Sequence, residues 1–199
     1  QFLNTFLDNS PTVPLEIGLG ALLVVEPTRW LELAVAAADA DNPIRETGFD
    51  TAFDGTDGWT SYAEATLHGV LGEGRPGALR LGVFRDGAER PVFGRGVRER
   101  GHLGVYLSAD QRVWNERGDG SEGLGVFVRA GRNDPRVNRI EAFWSAGLQY
   151  DGPLPGRGHD AAGLGLYQTL PSGDYRRHVD AEFAREFGVE LYYRVQLTP

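Results

Sequence analysis

The sequence has no cysteine and no long apolar run, and these two absences narrow the classes of protein that it can form. Without cysteine there is neither a disulfide framework nor a cysteine-based metal site. No segment approaches the roughly 20 apolar residues that a membrane-spanning helix needs. The most apolar segment, residues 17–25, has instead the length of one strand of a membrane barrel, about 9–11 residues.

A surplus of basic residues is missing as well. The net charge is -8 and the isoelectric point is about 5.0. No basic stripe stands out, which argues against nucleic acid as a partner. The first residue is not methionine, and no basic segment followed by an apolar one opens the chain. We therefore expect the chain to begin inside a longer protein.

What the chain does contain is a regular alternation of apolar and polar residues. Near its end, Phe187, Val189, Leu191, Tyr193, Val195 and Leu197 alternate with Gly188, Glu190, Tyr192, Arg194 and Gln196. Successive side chains of a β-strand point to opposite faces, so this segment predicts a strand with one apolar and one polar face. Nearly every such segment carries ionisable groups on its polar face. That pattern is typical of a barrel with lipid outside and water inside.

We count about nine such segments, and their connectors alternate between short and long. The short connectors are near residues 27–28, 72–77 and 153–156, and the long ones are residues 40–57, 86–100 and 169–185. Outer-membrane barrels are built in this way, with the long loops outside the cell. Trp30, Trp59 and Trp114 fall near strand ends, where aromatic girdles meet lipid headgroups, although ordinary packing would also explain them. The pattern predicts an all-β fold: a transmembrane antiparallel β-barrel of the outer-membrane porin type, surrounded by outer-membrane lipid.

The strand count indicates that the barrel is incomplete. Bacterial single-chain barrels have an even number of strands, and about nine is odd. Residues 195–199 also resemble the tight turn at residues 25–28, and no strand follows them. An unpaired strand edge is not tolerated in lipid. We therefore predict that residues 1–199 form a single partial barrel domain, which lacks N-terminal strands and the last C-terminal strands.

Several unusual segments resemble the carbohydrate-selective porin family (OprB type) of Gram-negative outer membranes. They are residues 6–9 (FLDN), 45–55 (RETGFDTAFDG), 104–111 (GVYLSADQ), 123–131 (GLGVFVRAG), 134–140 (DPRVNRI), 143–148 (FWSAGL), 175–177 (YRR) and 190–199 (ELYYRVQLTP). The resemblance covers nearly the whole chain, and residues 72–100 match less clearly. It implies a barrel of about sixteen strands, of which this chain is the C-terminal half without its last strands. It also implies passive diffusion of carbohydrates through a water-filled lumen, with no reaction and no cofactor; a homotrimer stays open.

The polar face supplies the candidate pore residues. A sugar needs hydrogen-bonding groups that replace its hydration and ring faces that contact its C–H groups, and arginine offers a rigid fork of donors. The alternation directs inward Glu64, His68, Arg80, Tyr106, Asp110, Phe127, Arg129, Gln149, Tyr167, Glu190, Tyr192 and Arg194. These side chains line the pore and bind sugar, or they are solvated groups that pair across strands.

The long connector at residues 41–57 has two interpretations. Porins often narrow the lumen with an inward-folded loop, so Arg45 and Glu46 are candidates for a constriction; an external solvated loop is the alternative. Asp50, Asp54 and Asp57 do not have the spacing of an EF-hand, so a calcium site is not favoured.

Other chemistry has little support in the sequence. The four histidines, His68, His102, His159 and His178, lie on different segments without the spacing of metal ligands. Ser108 or Ser145 could join a histidine and an acid, as in a lipase-like outer-membrane barrel. A structural or adhesion barrel with a plugged lumen is the third hypothesis, and the inward arginines and glutamates argue against it.

Overall fold

Nine strands form one antiparallel sheet in the computed structural model, which describes residues 19–40, 58–69, 75–116 and 122–197. Each strand of the sheet is hydrogen-bonded to the next one along the chain. The strands are β1 (Gly20–Thr28), β2 (Leu31–Asp39), β3 (Trp59–His68), β4 (Gly77–Asp86), β7 (His102–Asn115), β8 (Gly123–Asn133), β9 (Ile140–Asp151), β10 (Ala161–Pro171) and β11 (Phe187–Arg194). Two further strands, β5 (Arg90–Pro91) and β6 (Arg98–Glu99), pair with each other, and one helix, α1, spans Gly173–His178.

The predicted strands are confirmed, with differences at their ends and in the connectors. Strand β11 ends at Arg194, so Val195 and Leu197 lie beyond it. The predicted loop at residues 86–100 contains the β5–β6 hairpin, and the one at residues 169–185 begins within β10 and contains α1. The helix starts where Ser172 Oγ accepts hydrogen bonds from the backbone N–H groups of Asp174 and Tyr175, both at 3.1 Å.

The strand register places the apolar side chains on one face of the sheet. Val83 lies opposite Val105, Leu148 opposite Leu164, and Leu164 opposite Leu191. These side chains are not covered by a second layer: Leu191 is 79% exposed. Exposed leucine or valine lies on this face in every strand of the sheet except β3, where Ala63 and Ala65 take their place. Such an exposed apolar face is typical of a surface that contacts lipid. We call it the apolar face.

The opposite face, which we call the wet face, is more closely packed. Nearly all of the buried residues within the strands lie on it, among them Phe84, Phe143, Ser145 and Tyr167. Aromatic rings on this face lie across glycines of the neighbouring strand. A Cβ atom built on Gly82 would be 2.0 Å from Cζ of Tyr106, and one on Gly163 would be 2.3 Å from Cε1 of Tyr192. Glycine at these two positions is therefore what allows the rings to lie flat against the sheet.

The connectors alternate between two rims because consecutive strands are antiparallel. The turns after β1, β3, β7 and β9 form one rim, which we call the turn rim. The connectors after β2, β4, β8 and β10 form the other, the loop rim, and all three predicted long connectors belong to it. At the turn rim the rings of Trp114 and Tyr150 stack on the apolar face with centroids 5.8 Å apart.

At the loop rim the connectors pack on one another. Phe93 and Phe183 both make edge-to-face contacts with Tyr175 of α1, each with ring centroids 5.1 Å apart. The backbone N–H of Phe93 donates to the carbonyl of Arg136 at 2.9 Å. Connectors from three different places in the sequence therefore form one folded layer above the strands.

The sheet is open within the described residues: β1 and β11 each pair with one neighbour only. An odd number of antiparallel strands makes the two edge strands run in the same direction. If a second copy of the sheet closed the barrel, its edge strands would run parallel to β1 and β11. A fully antiparallel barrel therefore needs an odd number of further strands. We call the barrel completed in that way the closed barrel. No helix among the described residues is long and apolar enough to cross a membrane.

Candidate functional site

The wet face carries a groove of about 700 Å³ between β4, β7, β8 and β9. Charged side chains of both signs line it, together with amide and aromatic groups. They are His68, Arg80, Asp110, Arg112, Phe127, Arg129, Gln149 and Asp151. Their positions follow from the two-residue period of the strands, which directs alternate side chains into the groove.

Two ion pairs cross the groove wall. Arg80 Nη1 lies 2.6 Å from Asp110 Oδ1, and Arg112 Nη1 lies 3.0 Å from Asp151 Oδ2. The Arg80 pair is solvent-exposed, with 37% of the arginine and 52% of the aspartate side chain accessible. Water screens such a pair, so it stabilises the fold little and leaves both groups able to exchange hydrogen bonds with a solute.

A tyrosine is fixed beside these pairs. Tyr106 donates a hydrogen bond of 2.7 Å from its hydroxyl to Glu64 Oε2, and Thr66 Oγ1 donates to the other oxygen of Glu64 at 3.3 Å. The ring of Tyr106 packs on Gly82 and its hydroxyl is bonded to Glu64, so the side chain is fixed in one position.

Arg129 lies at the centre of the described wall. Its guanidinium carbon is 4.6 Å from the centroid of the Phe127 ring, within the range of a cation–π interaction. Its neighbours across the strands are Ser108 and Ser145, both small, so the long arginine side chain is not crowded by bulky partners.

The remaining predicted residues lie toward β11. The hydroxyl of Tyr192 donates to Gln149 Oε1, so these two are brought together. Glu190 and Arg194 are placed opposite Gly165 and Ala161 of β10, on an edge strand. Tyr167 lies on the wet face as predicted but is only 5% exposed, packed against Phe143, Phe127 and Tyr192 with its hydroxyl bonded to Glu186.

The structure brings together Glu64 with Tyr106 and Arg80 with Asp110, and it places Arg129 in the same groove as the second pair. Arg45 and Glu46, and the aspartates of the same connector, lie outside the described residues. Among the described residues no cluster of three or more histidine, aspartate or glutamate side chains could hold a metal ion. Arg112 and Asp151 were not predicted as pore residues, although both lie on strands that the sequence pattern located.

A second charged network, which the sequence pattern did not reveal, lies at the loop rim. Asp134 Oδ2 is 2.7 Å from Arg136 Nη2 and 3.3 Å from His102 Nδ1, while Arg136 Nη1 also reaches Glu99 Oε2 at 3.2 Å. Burial opposes ionisation of Asp134, but the hydrogen bonds from Arg136 and His102 outweigh it and lower the pKa of the carboxyl to about 2. His102 and Glu99 are distant in sequence from Asp134 and Arg136, so no local pattern brings these four residues together.

A comparable network fixes the turn rim. Asp160 accepts hydrogen bonds from Arg157, from the Tyr193 hydroxyl at 2.6 Å and from the Gln196 backbone N–H at 3.0 Å. The bonds from Arg157 and Tyr193 lower the pKa of the Asp160 carboxyl well below its usual range. The network ties β11 to the turn that precedes β10.

Known proteins resemble this chain over most of its length. The family described as carbohydrate-selective porin, OprB family, matches residues 4–199. Porin B of Pseudomonas aeruginosa (strain PAO1) is 25% identical over 203 residues, which cover 86% of this chain and 45% of Porin B. The fold is similar to that in the high-pH structure of Pseudomonas putida OprB, with a TM-score of 0.75, 22% identity, and coverage of 87% of this chain and 49% of that one.

This chain therefore spans about half the length of the relatives that it matches. The match to the family covers nearly every residue, and the structural similarity confirms that the nine-stranded sheet is part of a porin barrel. The chain belongs to the OprB family of carbohydrate-selective porins.

Proposed function

We propose that this chain supplies nine strands of an outer-membrane porin through which carbohydrates diffuse passively. The observation that carries the proposal is the contrast between the two faces of a single-layer sheet. One face is exposed leucine and valine, and the other holds a groove of about 700 Å³ lined by charged and aromatic groups. Such a sheet separates lipid from a polar solute when it closes into a barrel.

The chemistry of the groove suits a neutral, polyhydroxylated solute. The guanidinium groups of Arg80, Arg112 and Arg129 donate hydrogen bonds to hydroxyl oxygens, and the carboxylates of Asp110 and Asp151 accept them. Since each of these acids pairs with an arginine, the wall does not present one sign of charge alone. A neutral sugar can exchange water for these groups without crossing a large electrostatic barrier.

We assign the pore-lining role to the predicted residues Glu64, Arg80, Tyr106, Asp110, Arg129, Glu190, Tyr192 and Arg194, and we add Arg112 and Asp151. Tyr167 acts beneath this surface, since its packing against Phe143 positions the neighbouring rings. The constriction role of Arg45 and Glu46 stays a prediction. A homotrimer also stays a prediction, which chemical cross-linking in native membranes would test.

The lipase-like alternative needs an activated serine. Ser145 is fully buried, and within the described residues its hydroxyl has no hydrogen-bond partner, so no histidine contacts it there. A plugged structural barrel would place bulky apolar groups along the groove. The groove is lined instead by Arg80, Asp110 and Arg129, which favours diffusion over either alternative.

The proposal is tested by comparing two arginines of the same strand. Arg129 lies on the wet face of β8, and Arg132, three residues later, lies on the apolar face opposite Val105. In liposomes that contain the closed barrel, R129Q should change the ratio of the permeation rates of a neutral sugar and an acidic sugar of equal size. R132Q should leave that ratio unchanged. Equal ratios in both variants and the wild type would contradict the assignment of this wall to the pore.

A further inference from the structure

Two arginines lie on the apolar face of the sheet. Arg85 lies opposite Ser61 and Leu103, and Arg132 lies opposite Val105 and Ala142. All of these positions share the apolar face, and both arginines are near the ends of their strands at the loop rim. Leu103 and Val105, which separate the two arginines, are 61% and 54% exposed.

A concave surface of about 390 Å³ lies beside Arg132 on this face. Its lining includes Leu103, Val105, Arg132 and Arg136, together with Asp134, which pairs with Arg136. At its edge the Arg85 guanidinium lies against the backbone of Gly101, where a Cβ atom would be 2.4 Å from Arg85 Nη2. The site therefore combines an apolar floor with cationic groups above it.

The three arginines at this site differ in the acidic groups with which they pair. Arg136 forms ion pairs with Asp134 and Glu99. Arg132 has a long contact of 3.4 Å with Glu141, in which 67% of the arginine side chain stays exposed. Within the part of the chain that the structure describes, Arg85 makes no hydrogen bond or ion pair with an acidic group. An arginine on a lipid-facing surface without an acid beside it is suited to bind an anion from its surroundings.

The position of the site along the strands indicates where that anion comes from. Trp144 and Phe187 lie on the apolar face toward the same rim, with 37% and 57% exposure, and such aromatic groups mark the level of the lipid headgroups. Adjacent strands are about 4.8 Å apart and residues rise about 3.4 Å along a strand, so the Cα atoms of Arg85 and Arg132 are roughly 12 Å apart. Two arginine side chains can span that distance around one phosphorylated headgroup.

We propose that Arg85 and Arg132 bind the phosphate groups of a phosphorylated lipid in the leaflet at the loop rim, while an acyl chain covers Leu103 and Val105. Guanidinium forks match phosphate oxygens in bidentate geometry, and every basic residue of this chain other than histidine is arginine. The inference rests on the proposed membrane location of the barrel, but not on what passes through its lumen. The loop rim faces outward in outer-membrane barrels, so the expected lipid is the phosphorylated glycolipid of the outer leaflet.

The test uses the purified closed barrel in neutral detergent, titrated with diphosphorylated lipid A and with its dephosphorylated form. The wild type should bind the phosphorylated form more tightly, and R85Q/R132Q should weaken that binding about tenfold or more, since two charge-assisted contacts are lost. R29Q is the matched control, because Arg29 is an exposed arginine at the turn rim; its affinity should equal that of the wild type.

Three results would overturn the proposal: equal affinity for the two lipid forms, unchanged affinity in R85Q/R132Q, or inorganic phosphate that binds as tightly as the lipid. The last result would indicate a site for a free anion. Liposome swelling in sugar is measured on the same variants. R85Q/R132Q should keep the wild-type rate, which shows that the barrel is folded and separates this proposal from the proposed function.

Discussion

Replacement of Asp134 by asparagine should destabilise the loop rim in a pH-dependent way. The carboxylate follows the last residue of β8, is 14% exposed, and is held by Arg136 and His102. Its pKa is lowered from 3.8 to about 2. One pKa unit corresponds to about 1.4 kcal/mol, so the ionised form stabilises the fold by at most about 2.5 kcal/mol. Partial exposure of Arg136 reduces this value, because water screens the pair.

The sign of the pH dependence follows from the direction of the shift. Because the folded pKa lies below the unfolded one, the contribution of Asp134 is complete above about pH 4 and is lost as the pH falls toward 2. D134N removes the charge at every pH. Its free energy of unfolding should therefore be about 1–2 kcal/mol below that of the wild type at pH 7, and the difference should shrink at pH 2.5.

The assay is reversible urea unfolding of the closed barrel in lipid vesicles, followed by tryptophan fluorescence. D174N is the matched control, because Asp174 forms an exposed ion pair with Arg177 at 3.0 Å on the same rim. Such pairs contribute about 0–1 kcal/mol, so the control should show a smaller loss with little dependence on pH. A D134N loss that is equal at pH 7 and pH 2.5 would refute the reasoning.

Two further predictions concern the lumen wall and the edge strand. G82A places a methyl group where the Tyr106 ring lies, so the ring must leave Glu64 and turn into the lumen. The single-channel conductance of G82A should therefore fall. G125A is the control: its Cβ atom would have no neighbour closer than 3.9 Å, so its conductance should equal that of the wild type. D160N weakens the bonds to Tyr193 and to the chain after β11, so it should lower the free energy of unfolding in the same urea assay. No loss would mean that β11 is held only by its backbone hydrogen bonds to β10.

The sequence was sufficient for the strands because a single-layer sheet has only two faces, one apolar and one polar. Each residue of β10 or β11 faces one or the other, so the two-residue period is visible without knowledge of any distant contact. The period failed where the register shifts. In β7 a shift between Arg112 and Trp114 breaks the alternation, although the strand continues to Asn115.

The loop rim could not be predicted in the same way. Its contacts join Phe93, Asp134 and Tyr175, which come from three connectors without periodicity. The burial of Tyr167 was missed for a related reason: the alternation assigns a residue to a face, but only the neighbouring Phe143 and Tyr192 decide how much of it stays exposed. The face to which a side chain points can therefore be read from its own strand, whereas its burial on the wet face depends on residues of several strands.

The most direct test of the central claim is liposome swelling with the closed barrel and neutral sugars of graded size. If the wet face is the wall of a carbohydrate-conducting lumen, small neutral sugars should enter faster than a charged solute of equal size, and the rate should fall as the sugars become larger. A correctly folded barrel that admits no sugar, or admits the charged solute faster at every size, would contradict the account.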